Sequence, residues 1–280
     1  MLKRNKMILT LSPSALESLQ ECPTKYKYNN IDRLHLIDEK RDKMDRGSLF
    51  HEMLELHYNS IIEGKPSNEI ILAVTESARE KYRNDEYPDF EMVESCVANY
   101  QAYAIHYASD GWTPIAVETP FSKVIFEDDK NKIVIEGIID LIVRNMNGQV
   151  YPVDHKTSEK RDYYPTILVN QFFAYVWATE TNVFVKNDIG FQKTLGPAER
   201  FARPMLNYTP ELIAEWREDV IYDGLNLINF IEKGIFPRRK SSCFRCRYRQ
   251  ICESTPDARE WKIKSKYVIG QPYDIYNRSK

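Results

Sequence analysis

The chain has 280 residues, 42% hydrophobic and 12% aromatic, enough for one large domain or two small ones with a real core. A formal net charge of −2 excludes a polycation, so any nucleic-acid binding must come from a local patch and not from the global field. No apolar run approaches the roughly 18 residues of a membrane span, and MLKRNKMILTLSPS is too short in apolar residues for a signal peptide, so a cytoplasmic protein is expected.

Ser12-Pro13-Ser14-Ala15-Leu16-Glu17 starts a helix: Ser12 can cap it with Pro13 at the first position, or Ser14 and Glu17 can form a capping box. The helix reaches about Cys22, where Pro23 interrupts the pattern, and Tyr26-Lys27-Tyr28 make a second short turn. Residues 38–46 read as a polar loop. Gly47 to Ile62 is a helix with Leu49, Phe50, Met53, Leu54, Leu56 and Ile61 on a broad apolar face and His51 near its start. Residues 68–83 and 89–109 are two more helices. In the second, Val93, Val97, Tyr100, Ala104 and Tyr107 recur at helical spacing beside Cys96, read as a core cysteine.

From Pro114 the period changes to that of strands, first over Ile115 to Phe126, which contains Glu118, and then over Ile133 to Lys156. Residues 157–165 form a polar loop, and Thr166 to Glu180 a helix with Gln171 and Tyr175 four apart on one face. Asn182 to Gln192 and Arg200 to Asn207 read as strands. Thr209-Pro210-Glu211 starts a long helix to about Lys233, and residues 253–280 carry only weak structural signals. Helices, strands, a helix, strands and a helix in that order give an α+β or α/β layout, with helices around a central mixed sheet.

The stretch IVIEGIIDLIVRNMNGQVYPVDHK, Ile133 to Lys156, reads as a hairpin with Met146-Asn147-Gly148 as a three-residue loop and Gly148 left-handed. That register pairs Asn145 with Gln149 and sets Asp140 opposite Asp154, with Lys156 on the same face roughly 6–7 Å along the strand. Facing carboxylates repel, and a divalent cation between them relieves the cost. The alternative is an exposed hairpin whose aspartates face water.

Cys243, Cys246 and Cys252 are spaced C-x2-C-x5-C and need a fourth ligand, for which Cys22 and Cys96 remain. Four cysteines suit zinc and also an iron–sulfur cluster, and the short C-x2-C pair alone favours zinc; the alternative is unliganded thiols in a basic tail. The same segment holds Arg238, Arg239, Lys240, Arg245, Arg247 and Arg249, with Phe244 and Tyr248 interleaved, a pattern that can neutralise phosphates and stack on bases or form a solvated charged face. His51 alone fits a metal ligand, a core histidine or a surface residue. Gln171 and Tyr175 fit a phosphate grip or the polar border of an amphipathic helix.

Together these pieces resemble the PD-(D/E)XK nuclease superfamily, in its RecB-like branch with an iron–sulfur cluster, which includes AddB-type nuclease domains and CRISPR-associated RecB-like exonucleases. The resemblance runs from Ser12 to Cys252 through LSPSALESLQECP, GSLFHEMLE, GIID, VDHKTS, QFFAYVWA and CFRCRYRQIC. It implies a restriction-endonuclease-like core in a single domain. Within 1–280, 1–113 would be a helical part, 114–208 the core sheet, 209–255 a helix and the cysteine segment, and 256–280 a tail.

The resemblance also implies roles. Asp140 and Asp154 would coordinate Mg²⁺ or Mn²⁺ with His51 and the backbone of His155, and Lys156 would act on the attacking water. Gln171, Tyr175 and the basic residues Arg238, Arg239, Lys240, Arg245 and Arg247 would hold DNA. Cys22, Cys243, Cys246 and Cys252 would hold a four-iron four-sulfur cluster, with zinc as the alternative. The implied activity is a metal-dependent exonuclease on single-stranded DNA ends, in recombination, repair or replication. The alternative is a non-catalytic iron–sulfur DNA-binding subunit of a helicase–nuclease or CRISPR adaptation complex. Two departures stand out: Pro152 lies one place early for a strict Pro-Asp, and His155 occupies a position commonly held by tyrosine. No nucleotide-binding G-x4-G-K-[ST] loop occurs, so a helicase would be a separate partner.

Overall fold

Gly148 takes φ +80°, a conformation that costs glycine nothing, and the Asn145 N–H closes the turn on the Gln149 carbonyl at 2.9 Å. This turn joins the two central strands of a mixed sheet. The structure, a computed structural model, describes residues 6–37, 46–83, 89–160, 166–192, 194–272 and 274–276. The loops expected over 38–46 and 157–165 therefore fall mostly outside the described residues.

In chain order the elements are β1 (Met7–Leu11), α1 (Pro13–Glu21), α2 (Pro23–Tyr26) continuing into a π-turn, β2 (Leu34–Leu36), α3 (Arg46–Ile62), α4 (Ser67–Arg83) and α5 (Phe90–His106). Then come β3 (Thr113–Glu127), β4 (Asn131–Arg144), β5 (Val150–Ser158), α6 (Asn170–Thr179), β6 (Val183–Gly190) and the short α7 (Pro197–Arg200). β7 (Phe201–Ala202), β8 (Met205–Asn207), α8 (Pro210–Lys233), α9 (Arg249–Cys252), α10 (Pro256–Lys266) and β9 (Tyr267–Ile269) complete the chain. Among the described residues no helix is long and apolar enough to cross a membrane.

The chain forms two interleaved compact units, the first from Met1–Lys40, Pro120–Gly137 and Pro210–Lys280 and the second from Arg41–Thr119 and Ile138–Thr209. In the first, β1 runs parallel to the start of β4, from Met7↔Asn131 to Leu11↔Ile135, and buries Leu9 and Leu11 with Ile133 and Ile135. Ser12 caps α1, its hydroxyl accepting from the Ala15 N–H at 3.2 Å, so the Ser12–Pro13 start is used and not the Ser14–Glu17 box. Near the C-terminus, β9 pairs antiparallel with β2, and Tyr28, Leu34, Tyr248, Ile251 and Tyr267 form a small separate core. β9 and α10 form within residues 253–280, where the sequence carries only weak structural signals.

In the second unit β4 pairs antiparallel with β5, and β5 runs parallel to β6 through α6. β7 and β8 both return antiparallel on β6. The single strand expected over Arg200 to Asn207 is broken, because Pro204 has no N–H for a ladder and the Arg203 side chain is drawn inward to Asp110. Helices α3, α4 and α5 pack into one core in which Leu49, Phe50, Met53 and Leu54 meet Val97, Tyr100, Leu141, Val143 and Val153. Cys96 is wholly buried there, as its place beside the apolar stripe predicts, and burial pushes its thiol up to about 12.

Candidate active site

The β4–β5 register runs from Arg144↔Val150 to Leu141↔Val153, so the next step sets Asp140 against Asp154, and the second unit holds every residue of the carboxylate–lysine set. The N–H of His155 donates to Asp140 Oδ2 at 2.9 Å, and His51 Nδ1 from α3 lies 3.6 Å from the same oxygen. Asp154 is 1% exposed. The Lys156 ammonium stands 2.8 Å from Asp154 Oδ2, an oxygen that is itself fully buried. Burial pushes the Asp154 carboxyl up to about 7 and the Asp140 charge adds to the shift, while Lys156 and His51 oppose it.

Lys156 donates to Gln171 Oε1 at 2.8 Å, and Gln171 Nε2 donates to Tyr175 Oη at 2.8 Å. Tyr175 in turn donates to the carbonyl of Ile138 on β4. Gln171 and Tyr175 therefore tie the lysine back to the strand that carries Asp140. Tyr175 is buried, and burial holds its hydroxyl well above the ordinary tyrosine range.

The donor set is hard: two carboxylates, a nearby imidazole and strand carbonyls, which suits Mg²⁺ or Mn²⁺ better than a soft metal. A buried carboxylate oxygen that already draws a cation, the Lys156 ammonium, to 2.8 Å is the observation that fits a metal ion. Among the described residues no three His, Cys, Asp or Glu side chains already converge as a ready cage, and Lys156 supplies the positive charge at Asp154.

Sequence reasoning placed the neighbouring strand, read over Asn182 to Gln192, but gave its polar residues no role. Asp154, His155 and Lys156 stand in register with Lys186, Asn187 and Asp188 on β6, and Lys186 Nζ lies 3.4 Å from Asp188 Oδ2. All three β6 residues are buried. Three successive polar residues inside VFVKNDIG were a usable signal, since a core strand keeps such groups only when they are paired. Glu118 was placed on a strand but given no role; it sits at φ +45°, a conformation non-glycine residues rarely adopt, and its charge contributes to raising the Tyr175 hydroxyl.

The cysteines lie in the first unit. Cys22 at the end of α1 accepts the Arg239 N–H at 3.4 Å, and Cys243 Sγ is 3.8 Å from the Arg239 carbonyl. Burial raises the Cys252 thiol; Arg238 counters this, and Cys246, Cys22 and Cys243 each push it further up. Among the described residues these sulfurs do not converge as a ready metal cage. Cys96 belongs to the second unit and is not among them.

Phe244 is 82% exposed, but Tyr248 is wholly buried. Its hydroxyl donates to the Leu34 carbonyl at 2.8 Å, so it is a core residue and not the stacking face expected of it. Part of the basic segment is also engaged internally: Arg238 donates to the Cys252 carbonyl at 3.3 Å, Arg239 donates to the Gln20 carbonyl, and Arg249 pairs with Glu253. Lys240, Arg245 and Arg247 are exposed.

A mixed sheet with a carboxylate pair and a lysine on its central hairpin, flanked by helices, defines a protein of the nuclease-core class. The chain belongs to the PD-(D/E)XK nuclease superfamily, whose profile matches residues 10–253. Among solved structures it resembles SSO0001, with 17% identity over 90% of this chain and 89% of that one and a TM-score of 0.38. A protein assigned as an exonuclease from Eubacterium rectale shares 11% identity over 85% and 87%, with a TM-score of 0.48. LHK-Exo, solved in complex with dAMP, shares 14% over 66% and 94%, with a TM-score of 0.32. No curated protein matches the chain significantly in sequence.

Proposed function

We propose that the protein is a Mg²⁺- or Mn²⁺-dependent deoxyribonuclease, an exonuclease that hydrolyses phosphodiester bonds at single-stranded DNA ends in recombination, repair or replication. The observation that carries this reading is the buried Asp154 oxygen facing Lys156, with Asp140 in the adjoining register position.

Asp140, Asp154, His51 and the main-chain carbonyl of His155 would hold the ion. When bound, it supplies a water of lowered pKa and a contact for a phosphate oxygen. Lys156 orients the attacking water and offsets charge that grows on the phosphate oxygens. Gln171 keeps the ammonium aimed, and Tyr175 anchors Gln171. The exposed Lys240, Arg245, Arg247 and Phe244 supply phosphate and base contacts.

Cys22, Cys243, Cys246 and Cys252 would hold a four-iron four-sulfur cluster that joins the end of α1 to the C-terminal segment, with zinc as the alternative metal. The C-x2-C-x5-C spacing, the influence of Cys22, Cys243 and Cys246 on the Cys252 thiol and the N–H directed at Cys22 support a shared metal. Absorbance of anaerobically purified protein separates the two, since zinc thiolates are colourless.

Digestion of end-labelled single- and double-stranded oligonucleotides with Mg²⁺, Mn²⁺ or chelator tests the activity. Mononucleotide release from single strands, abolished by chelator, is the expected outcome. Metal-independent cleavage, or none with either metal, would remove the reading.

A further inference from the structure

On the face of β5 and β6 opposite Asp154 and Lys156 lies a buried polar network. His155 and Asn187 are register partners on the two parallel strands. Asn187 Nδ2 is 2.8 Å from His155 Nδ1 and 2.7 Å from Tyr103 Oη, and its Oδ1 is 3.4 Å from Arg203 Nε. The Arg203 guanidinium lies 3.5 Å from the Tyr107 ring centroid and 3.8 Å from that of Trp112. It pairs with Asp110 and donates to Tyr103 Oη at 2.9 Å and Tyr58 Oη at 3.0 Å.

Hydrogen-bond bookkeeping orders this network. A guanidinium has donors and no acceptor, so the Asn187 oxygen must face Arg203. The amide nitrogen then turns its two protons to Tyr103 and to His155. His155 Nδ1 must accept, which leaves the imidazole proton on Nε2. The ring is also fixed by its faces: it stacks on Tyr58 at 5.8 Å with 8° between planes and meets His51 edge-on at 5.8 Å. The same residue's main-chain N–H holds Asp140 Oδ2.

We propose that Asn187 and Arg203 are positioning residues for the acidic centre: they impose one tautomer and one ring orientation on His155, and so fix the backbone that orients Asp140. The kinetic consequence rests on the nuclease reading above; the hydrogen-bond order does not. Buried polar sets of this kind can often be replaced by apolar side chains of similar volume with little change in stability. What the network adds is orientation, and outer partners of metal ligands typically contribute about 10–100-fold in metal affinity or activity.

Two variants test this. Asn187→Leu removes donor and acceptor at similar volume. Asn187→Asp keeps the shape and the Arg203 partner but can only accept. Ring ¹⁵N signals of His155 in the metal-free protein report the tautomer, calorimetry with Mn²⁺ reports the acidic centre, and single-turnover cleavage reports the chemistry. In the wild type Nδ1 is expected bare and Nε2 protonated; in Asn187→Asp, Nδ1 carries a proton; in Asn187→Leu the preference is lost. Both variants are expected to bind Mn²⁺ about 10-fold more weakly and to cleave about 10–100-fold more slowly, with KM for DNA unchanged. A protonated Nδ1 in the wild type, or wild-type Mn²⁺ affinity in both variants, overturns the positioning role. A wild type that binds no Mn²⁺ and cuts no DNA overturns the nuclease reading instead, and the metal-free ring signals still decide the order of the network.

Discussion

Lys156 reaches Asp154 and Gln171 at the same distance, 2.8 Å, so its ammonium is held between a strand carboxylate and a helix carboxamide. The side chain is 40% exposed, which leaves room for substrate beside it. The arrangement separates two kinds of loss. On the proposed reading Lys156→Ala removes the ammonium that orients the water and Asp154→Ala removes a metal ligand, and each is expected to reduce single-turnover cleavage at least about 10³-fold. DNA binding, measured by anisotropy at fixed salt, should stay within a few-fold of wild type. Gln171→Ala frees the ammonium without deleting it, and a loss of about 10-fold is expected. Cleavage by a contaminant-free Lys156→Ala preparation at the wild-type rate would mean that another group performs the chemistry.

Acid should destabilise the protein through half-buried His57 and buried His155. His57, bonded to Tyr100 at 2.9 Å, is held down to about 4, first by burial and then by the Arg203 charge. His155 is held well below the ordinary value, again chiefly by burial. The unfolded chain takes up these protons near pH 6.5 and the folded one does not. Their stabilising effect is therefore complete above about 6.5 and is lost as pH falls toward 4, by up to about 3 kcal/mol for His57. Denaturant melts at pH 7 and 4.5 read this directly, and His57→Gln should narrow the difference.

Asp154 has the opposite sign. With its carboxyl raised to about 7, the folded state holds the proton more tightly than the unfolded chain does. Its contribution is present below about pH 4 and is lost as pH climbs through 7, where the buried carboxylate becomes a cost that Lys156 offsets only in part. A bound divalent cation removes that cost, so the gain in Tm on adding Mn²⁺ is expected to grow between pH 6 and 8. In Asp154→Asn that growth should vanish; a Mn²⁺ shift of the same size at every pH in the wild type would contradict the assignment.

The cysteine segment gives a prediction about structure and not about cleavage. Arg239 and the carbonyl of Pro237, which accepts the Thr24 N–H at 3.2 Å, already bind the C-terminal segment to the end of α1. A metal bound by Cys22, Cys243, Cys246 and Cys252 would close that loop covalently. Cys246→Ser is expected to lose visible absorbance and bound iron together with several degrees of Tm. Full iron content and an unchanged melt in that variant would exclude the cysteine from the ligand set.

The hairpin was legible because its information is local. Alternation fixes which face Asp140 and Asp154 share, and Gly148 fixes the register through the turn. α1, α8 and the α3–α5 core declared themselves in the same way, through caps and helical periodicity. β1 and the β2–β9 pair did not, because segments of five and three residues become strands only through partners more than 100 residues away. Tyr248 was misjudged for a similar reason: its neighbours are charged, but Tyr28 and Tyr267 enclose it. Arg203 carried no local signal at all, since its meaning lies in Tyr58, Tyr103, Asp110 and Asn187, none adjacent in sequence.

Gly224 offers a test of how tightly α8 packs in the first unit. A Cβ at this position would meet Ile133 Cδ1 at 2.7 Å, and Ile133 is completely buried. Gly to Ala in a helix gains about 1 kcal/mol from propensity. Overpacking a dense core costs about 1–3 kcal/mol, so the clash should win and Gly224→Ala should destabilise slightly. Shortening the neighbour relieves the contact: with Ile133→Val the Cδ1 methyl is gone, and the propensity gain should reappear. The Gly224→Ala, Ile133→Val double variant is therefore expected to be more stable than the sum of the single changes by about 1 kcal/mol, a coupling that denaturant melts of the four proteins resolve. Strict additivity would mean that helix and strand part easily at this point and that the glycine serves some purpose other than close approach.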